Sequence, residues 1–224
     1  MRLAVSGASG KTGWRVVQEA LAQGHDVRAI VRPGSAVPEG LAGAELIRLD
    51  LADREALEAA LRGCDALVIA TGARPSVDLA APLKVDAFGV RSQIAACQAV
   101  GLRRVVLVSS LLAGAWLHPL NLFGLILVWK RLGERWLEQG GLDWTVVRPG
   151  GLREQEDDLA AQLVRYGPAG SQREGSIPRR LVARVCLEAL ATPASIGRIV
   201  EITSAADAEA PAAPSLAAWL ATLS

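Results

Sequence analysis

Short runs of apolar residues alternate along the chain with segments whose apolar side chains recur every three to four residues. The runs predict strands at Leu3–Ser6, Val27–Val31, Glu45–Leu49, Ala66–Ala70, Val105–Ser109, Trp144–Val147 and Arg198–Ile202. Several of these strands are apolar at consecutive positions, which is typical of parallel strands covered on both faces. The alternation predicts an α/β fold, a doubly wound parallel sheet with helices on both faces.

The segments between the strands carry helix signals. Apolar positions of helical period in Trp14–Leu21 are followed by Gly24, and the segment Leu83–Val100 runs into Gly101. Glycine just past a helix is a stop signal, because it takes the left-handed cap conformation at little cost. Asp53 is expected to cap the helix that follows the third strand.

The alternation of strand and helix signals is interrupted after the sixth strand. Arg148–Gly151 predicts a turn, and the stretch to Ser176 is polar; a helix is expected after Pro178. Acidic residues cluster in the polar stretch at Glu154, Glu156, Asp157 and Asp158. Such a cluster is compatible with a lid or with a solvated connection, and the solvated connection is favoured because the sequence shows no charge partner.

Composition excludes several functional classes. The 224 residues include 24 basic and 23 acidic side chains, so the net charge of +1 argues against nucleic-acid binding. Three cysteines and two histidines are widely spaced, which favours neither a disulfide framework nor a zinc site. We therefore expect free thiols in a reducing environment and a cytoplasmic protein without a metal.

One segment has the length of a membrane span. Leu111–Trp129 contains no charged side chain, but His118–Pro119 and Asn121 interrupt it. We expect a loop followed by an amphipathic helix from Leu122 to Gly140, and no transmembrane helix. A peripheral membrane contact stays open.

A glycine motif marks the end of the first strand. Gly7, Gly10 and Gly13 are spaced three residues apart between the first strand and the first helix. Such glycines permit a tight turn and a close approach of a pyrophosphate to the free N–H groups of the helix N-terminus. The motif predicts a Rossmann-like dinucleotide site, with Ser9, Lys11 and Thr12 in the same turn contacting the cofactor.

The end of the second strand indicates which dinucleotide binds. Sites that prefer NAD place an acidic residue there to bind the ribose hydroxyls, whereas this chain has Arg32. A guanidinium pairs with a 2′-phosphate, so Arg32 together with Lys11 favours NADP over NAD.

Ligands of open parallel sheets bind at the carboxyl ends of the strands. The residues at those ends, predicted to complete the cofactor groove, are Asp50, Leu51, Thr71, Gly72, Ala73, Ser109, Ser110, Pro149 and Gly150. We expect residues 1–224 to form one domain. Its nucleotide-binding core would be 1–148, and 149–224 would form a small C-terminal substrate region with the final strand and helix.

These motifs resemble a known family. Its features here are Ser6–Gly13, Val31–Arg32, Leu49–Leu51, Val108–Ser110, Trp144–Leu152 and Ile177–Ala183. Together they are similar to the atypical short-chain dehydrogenase/reductase proteins of the NmrA-like, NAD(P)-binding group. Asn121–Phe123, Trp129–Arg131 and Glu134 are most similar to cyanobacterial and plastid members related to the NADP-binding subunit of the chloroplast envelope translocon. A more distant similarity, through the glycine turn, Val31–Arg32 and Gly72–Arg74, is to the biliverdin-IXβ/flavin reductases.

The resemblance implies a catalytic pair that this chain lacks. Related enzymes use a tyrosine one helical turn before a lysine as proton donor. Lys130 matches the lysine, but Ile126 stands at the tyrosine position, and the single tyrosine, Tyr166, is followed four residues later by Gly170. Lys130 is then expected to bind the nicotinamide ribose.

Two functions remain. The first is an NADP(H)-dependent oxidoreductase in which Ser109, Ser110 and Lys130 are the candidate catalytic residues and a flat acceptor, a flavin, quinone or tetrapyrrole, takes its proton from water. Aromatic and apolar residues beside the fifth strand would wall its pocket or instead form core or dimer contacts: Leu111, Leu112, Trp116, Phe123 and Trp129. The second is a non-catalytic NADP(H) sensor, scaffold or membrane-complex assembly factor. His118 is a weaker candidate proton donor, and either a monomer or a homodimer is compatible with the sequence.

Overall fold

The structure, a computed structural model, describes residues 1–73, 78–157, 159–206 and 214–223. Arg74, Asp158 and the Phe123 side chain, all named above, lie outside this description. The strands are β1 Arg2–Ser6, β2 Asp26–Val31, β3 Glu45–Arg48, β4 Ala66–Ile69, β5 Arg104–Val108, β6 Asp143–Pro149, β7 Gly151–Arg153, β8 Gln162–Pro168, β9 Ser176–Pro178 and β10 Arg198–Ala206. The helices are α1 Gly13–Ala22, α2 Arg54–Leu61, α3 Gly89–Val100, α4 Ile126–Gln139, α5 Arg179–Ala191 and α6 Leu216–Ala221, and a π-helical segment, Leu83–Phe88, leads directly into α3.

The sheet confirms the predicted doubly wound parallel architecture. Its order is β3-β2-β1-β4-β5-β6-β10, with parallel pairing between every neighbouring pair of these strands. The order reverses between β1 and β4, so the connections leave the sheet in opposite directions there. This point is where open parallel sheets bind ligands.

Helices cover both faces of the sheet. Leu3 and Val5 of β1 pack into the apolar core that contains α1 and α5, whereas Ala4 packs into the core on the opposite face, beside α2 and α3. All three side chains are completely buried. The predicted helix signals are also confirmed: Gly101 adopts the left-handed conformation after α3, and the Asp53 carboxylate accepts a hydrogen bond from the N–H of Ala56.

The favoured interpretation of the polar stretch between Gly151 and Ser176 as a solvated connection is wrong. That stretch contains β7, β8 and β9, and β8 pairs antiparallel with β10 from Gln162↔Ala206 to Pro168↔Val200. Residues of β8 are mostly half-buried, so their side chains give no clear apolar run. The partner strand supplies the ladder hydrogen bonds, and this pairing makes a strand of a weakly apolar segment.

The uncharged segment Leu111–Trp129 forms a loop, a 3₁₀ turn at Pro119–Phe123 and the first turn of α4. The expected order of loop and helix is confirmed, but the helix begins at Ile126 and not at Leu122. Within the described ranges no helix combines the length and the apolar character needed to cross a membrane. Leu112 and Leu125 have φ values of 60° and 57°. Left-handed backbone is costly for a leucine, so the loop is strained at both ends.

Candidate functional site

The turn between β1 and α1 is packed too closely for a side chain at Gly7 or at Gly13. Gly7 has φ 71°, and a Cβ atom there would lie 2.8 Å from the backbone of Ala70 and Thr71 at the end of β4. A Cβ at Gly13 would overlap the carbonyl group of Gly7. These approaches leave the N-terminus of α1 open toward the carboxyl edge of the sheet, as a pyrophosphate site requires.

A cavity of about 620 Å³ lies at this edge, beside the point where the strand order reverses. The predicted cofactor residues that line it are Gly7, Ser9, Gly10, Arg32, Asp50, Leu51, Thr71, Gly72 and Ala73. They come from the ends of β1, β2, β3 and β4, so the structure joins four separate turns in one groove. The remaining predicted residues, Lys11, Thr12, Gly13, Ser109, Ser110, Lys130, Pro149 and Gly150, do not line it.

Part of the lining was not predicted. Lys84, Val85 and Phe88 of the π-helical segment and Gly89 and Ser92 of α3 face the same cavity. Phe88 is 47% exposed and stacks on Trp136 of α4. These residues follow an ordinary helical period in the sequence, so no local signal separates them from core residues. Only their position opposite β2 and β3 makes them part of the groove.

A buried ion pair lies behind the cavity wall at Gly72. Lys130 Nζ of α4 donates to Asp86 Oδ1 of the π-helical segment at 2.8 Å, and Asp86 Oδ2 accepts the N–H of Ala73 at 3.1 Å. The side chains are 15% and 2% exposed, respectively. A Cβ at Gly72, which lines the cavity, would lie 3.8 Å from Lys130 Nζ, so the ammonium group stands just behind the cavity wall. Asp86 is a further site residue that the sequence did not reveal.

Three buried hydroxyl groups at the carboxyl ends of the strands lack partners. Ser6 Oγ, Thr71 Oγ1 and Ser109 Oγ make no hydrogen bond within the part of the chain that is described. The N–H of Ser109 donates to Val147 O, and the N–H of Leu111 donates to Pro149 O, so the serine loop runs beside Pro149. Buried hydroxyls are normally satisfied, so these groups fit a site that a polar ligand completes. Together with the glycine cradle, they fit a dinucleotide.

The acidic cluster has partners, which corrects the interpretation as a solvated connection. Glu154 pairs with Lys11 at 3.0 Å and with Arg179 at 2.8 Å. Glu156 pairs with Arg15 and, at 3.0 Å, with Arg180. We name this set, Lys11, Arg15, Glu154, Glu156, Arg179 and Arg180, the acidic clasp.

The acidic clasp ties the segment after β7 to the start of α1 and α5. Burial raises the pKa of Glu156, but hydrogen bonds from Arg15 and Arg180 outweigh it, and the net pKa is lowered. Burial likewise raises the pKa of Glu154, and the bonds from Lys11 and Arg179 lower it further than burial raises it. Lys11 is thus engaged by a carboxylate, so Arg32 is the predicted 2′-phosphate ligand that faces the cavity.

The residues beside β5 that could wall an acceptor pocket or instead form core or dimer contacts do not line this cavity, as far as the structure describes them. Trp116 is 69% exposed, Leu117 is fully exposed, and neither these residues nor Trp129 line the cavity. Side chains of the loop and 3₁₀ turn instead present an exposed apolar surface, defined here as Trp116, Leu117, Leu120, Leu122 and Leu125. The aromatic side chain at the cavity is Phe88.

Tyr166 lies in β8, apart from Lys130. Its hydroxyl donates to Glu188 Oε2 at 3.0 Å, and its ring stacks on Trp219. Burial and the Glu188 carboxylate both raise the pKa of Tyr166, which suits a structural hydrogen bond rather than acid–base work. His118 Nδ1 accepts the N–H of Leu120 and so caps the 3₁₀ turn.

Fold and groove define a Rossmann-type, NAD(P)-binding protein. The sequence matches the NAD(P)H-binding family over residues 7–193, so the chain belongs to that family. An uncharacterized chloroplastic protein of Arabidopsis thaliana is 38% identical over 218 residues, covering 91% of this chain and 77% of that protein. Sanguinarine reductase of Eschscholzia californica is 29% identical over 225 residues, covering 83% and 82%. The chloroplastic protein TIC 62 of Arabidopsis thaliana is 31% identical over 176 residues, covering 68% of this chain and 28% of its own length.

Solved structures agree with the fold. A putative NAD-dependent epimerase/dehydratase from Bacillus halodurans has a TM-score of 0.84 at 29% identity, with 99% of both chains covered. A short-chain dehydrogenase/reductase from Veillonella parvula in complex with NADP has a TM-score of 0.73 at 16% identity, with 96% of this chain and 99% of that chain covered.

These comparisons confirm the resemblance to atypical short-chain dehydrogenase/reductase proteins with plastid members. The predicted cytoplasmic location is wrong, because the similar plant proteins are chloroplastic. The family match does not separate NAD from NADP.

Proposed function

We propose that the protein is an NADP(H)-dependent reductase that works without a tyrosine acid. The observation that carries this proposal is the groove itself, in which the glycine turn and Arg32 face one cavity and the Asp86–Lys130 pair stands behind its far wall. When bound, NADPH supplies a hydride. Residues of this chain bind and orient the cofactor.

Each part of the groove has a distinct binding role. The N–H groups at the start of α1 hold the pyrophosphate, with Gly7, Ser9, Gly10, Lys11, Thr12 and Gly13 in that turn. Arg32 binds the 2′-phosphate through charge-assisted hydrogen bonds, which selects NADP over NAD. Asp50 and Leu51 border the adenosine half, and Thr71, Gly72 and Ala73 line the middle of the groove.

The nicotinamide half lies beside α4 and the ends of β5 and β6. Lys130 binds the ribose, while Ser109, Ser110, Pro149 and Gly150 border the ring. Ile126, one helical turn before Lys130, has no acidic proton to donate. We therefore propose a flat aromatic acceptor, a flavin, quinone or tetrapyrrole, that takes its proton from water. A reductase among the relatives supports the reaction class.

Residues 149–224 are proposed to form the region that receives the acceptor. They begin at Pro149, the last residue of β6, and include the segment that the acidic clasp ties to α1. Glu154 of this region contacts Lys11 in the glycine turn.

Binding and turnover test the proposal separately. We expect NADPH to bind with a dissociation constant in the micromolar range or below, about −8 kcal/mol or tighter, and NADH more weakly. Arg32→Ala should abolish the difference in affinity between NADPH and NADH. Arg103→Ala should preserve this difference, because Arg103 directly precedes β5 at the amino ends of the strands, away from the cavity. Equal affinity for NADPH and NADH in the unmodified protein would overturn the NADP assignment.

Turnover is assayed by NADPH oxidation with flavins, quinones and tetrapyrroles. Oxidation with one of them, lost in Ser110→Ala while NADPH still binds, supports the reductase. Tight NADPH binding without turnover on any acceptor class would contradict it.

A non-catalytic NADP(H)-binding scaffold or membrane-complex assembly factor is the second candidate. The exposed apolar surface favours it, because its four leucines and one tryptophan are exposed within ten residues of the chain, and exposed apolar patches mark sites that contact a partner or a lipid surface. Co-sedimentation with vesicles of anionic lipid, abolished in Trp116→Ser/Leu117→Ser, supports this function. A chain that stays in the supernatant contradicts its membrane form.

A further inference from the structure

Arg148, at the end of β6, connects three elements through charged hydrogen bonds. Its Nε and Nη2 donate to Oε1 and Oε2 of Glu134 on α4 at 2.9 and 2.7 Å, which is a two-point fork. Its Nη1 donates to Glu201 Oε1 on β10 at 3.3 Å. The side chains of Glu134 and Glu201 are 0% and 1% exposed, and that of Arg148 is 8% exposed. Water therefore screens this network very little.

The same network continues into the C-terminal part of the chain. The N–H groups of Gly170 and Gln172 each donate to the Glu201 carboxylate at 2.8 Å, and both belong to the connection between β8 and β9. Burial lowers the pKa of Arg148, but hydrogen bonds and charges of Glu134 and Glu201 raise it further, so the net pKa is raised. The guanidinium thus stays charged and its fork stays intact.

Glu134 and Lys130 are one helical turn apart on α4, so their side chains leave the same face of the helix. Glu134 pairs with Arg148, and Lys130 pairs with Asp86 behind the groove wall. A helix moves as a rigid unit over one turn, so any displacement of Glu134 displaces Lys130 with it. Arg148 also directly precedes Pro149.

We propose that Arg148 is a positioning residue. Through Glu134 it fixes the position of α4 relative to the sheet, and so it holds Lys130 at the nicotinamide half of the groove. The inference rests on the proposed function, which gives Lys130 the ribose. Buried ion pairs often stabilise a fold no more than apolar side chains of equal volume. The two-point fork is directional, so it fixes the position of α4 relative to β6, which an apolar contact would not do.

The test compares two ligands of the full-length protein by calorimetry. NADPH occupies the whole groove, whereas adenosine 2′,5′-bisphosphate lacks the nicotinamide half. Arg148→Lys keeps the charge and loses the fork, so we expect NADPH to bind about tenfold more weakly, the lower end of what a hydrogen bond to a charged group contributes. Adenosine 2′,5′-bisphosphate should bind with unchanged affinity. Arg103→Lys, which alters a solvent-exposed fork to Asp143, is the matched control and should change neither affinity.

A second comparison tests the route through Lys130. In a Lys130→Met background, Arg148→Lys should cause no further loss of NADPH affinity, because coupled residues are non-additive. Unchanged NADPH binding in Arg148→Lys, or an equal loss for both ligands, overturns the positioning role. If Arg148→Lys does not fold, Glu134→Gln, which keeps the side-chain shape, is judged by the same two ligands. Failure of the unmodified protein to bind NADPH overturns the proposed function as well, so the two failures are distinguishable.

Discussion

Replacing Asp86 by asparagine should expose the cost of leaving Lys130 without its counter-charge. The asparagine oxygen still accepts the N–H of Ala73, so the backbone after β4 keeps its bond. Breaking a buried ion pair from one side costs about 3 to 5 kcal/mol. Lys130 is 15% exposed and keeps part of its hydration. We therefore expect Asp86→Asn to lower the free energy of unfolding by about 2 to 3 kcal/mol.

The assay is urea unfolding followed by the fluorescence of the six tryptophans. Lys130→Met should cost about 3 to 5 kcal/mol, because it leaves the almost fully buried Asp86 carboxylate unpaired. The double variant Asp86→Asn/Lys130→Met should cost at least about 2 kcal/mol less than the sum of the two single losses. Asp143→Asn, which breaks the exposed pair with Arg103, should cost at most about 1 kcal/mol.

A coupling energy below about 1 kcal/mol between Asp86 and Lys130 would refute this reasoning. It would mean that water screens the pair as it screens a surface pair. The groove would then end without a fixed charge at Gly72, and the proposed ribose contact of Lys130 would lose its structural basis.

Three further outcomes follow from the same structure. Gly133→Ala places a Cβ against the carbonyl oxygen of Asp86. Urea unfolding should show a loss of about 1 to 3 kcal/mol in the free energy of unfolding, although alanine favours a helix over glycine by about 1 kcal/mol. A gain in stability would contradict the close approach. Glu154→Gln/Glu156→Gln should lower the melting temperature at pH 7. Because the folded pKa values are lowered, the two carboxylates stabilise the fold above their ordinary pKa and lose this effect as pH falls through the folded pKa values. The difference in melting temperature between the unmodified protein and the variant should therefore shrink below about pH 4.3. A difference that stays constant down to about pH 3 would refute this explanation. Tyr166→Phe should cost about 1 kcal/mol of stability in urea and leave NADPH affinity unchanged, and a weakened affinity would contradict its structural role.

The parallel strands and the glycine turn could be predicted because their signals are local. Consecutive apolar residues in β4 and β5 already specify burial on both faces, and the spacing of Gly7, Gly10 and Gly13 specifies the turn. The predicted strand bounds differ from the observed ones by one or two residues except in β10, which extends to Ala206 because β8 pairs with it.

The rest of the site depends on contacts between distant segments. Asp86 lies in an apolar helical stripe, and only its approach to Lys130, 44 residues away, gives it a role. Glu154 and Glu156 likewise look solvated until α1 and α5 bring their arginines together. Charge pairing of this kind has no periodic signature, so neither composition nor spacing could reveal it.

The acidic clasp also has a consequence for the order in which the protein folds. Arg15 is only 6% exposed, and its partner Glu156 lies 141 residues further along the chain; Arg179 reaches Thr12 across 167 residues. Closing such distant contacts is slow, because loop entropy is lost before the contacts form. During synthesis the glycine turn is made long before Glu156 and Arg179, so it gains these charge partners only after the intervening residues have also been made. The turn proposed to bind the pyrophosphate is therefore among the last parts of this domain to reach its final form.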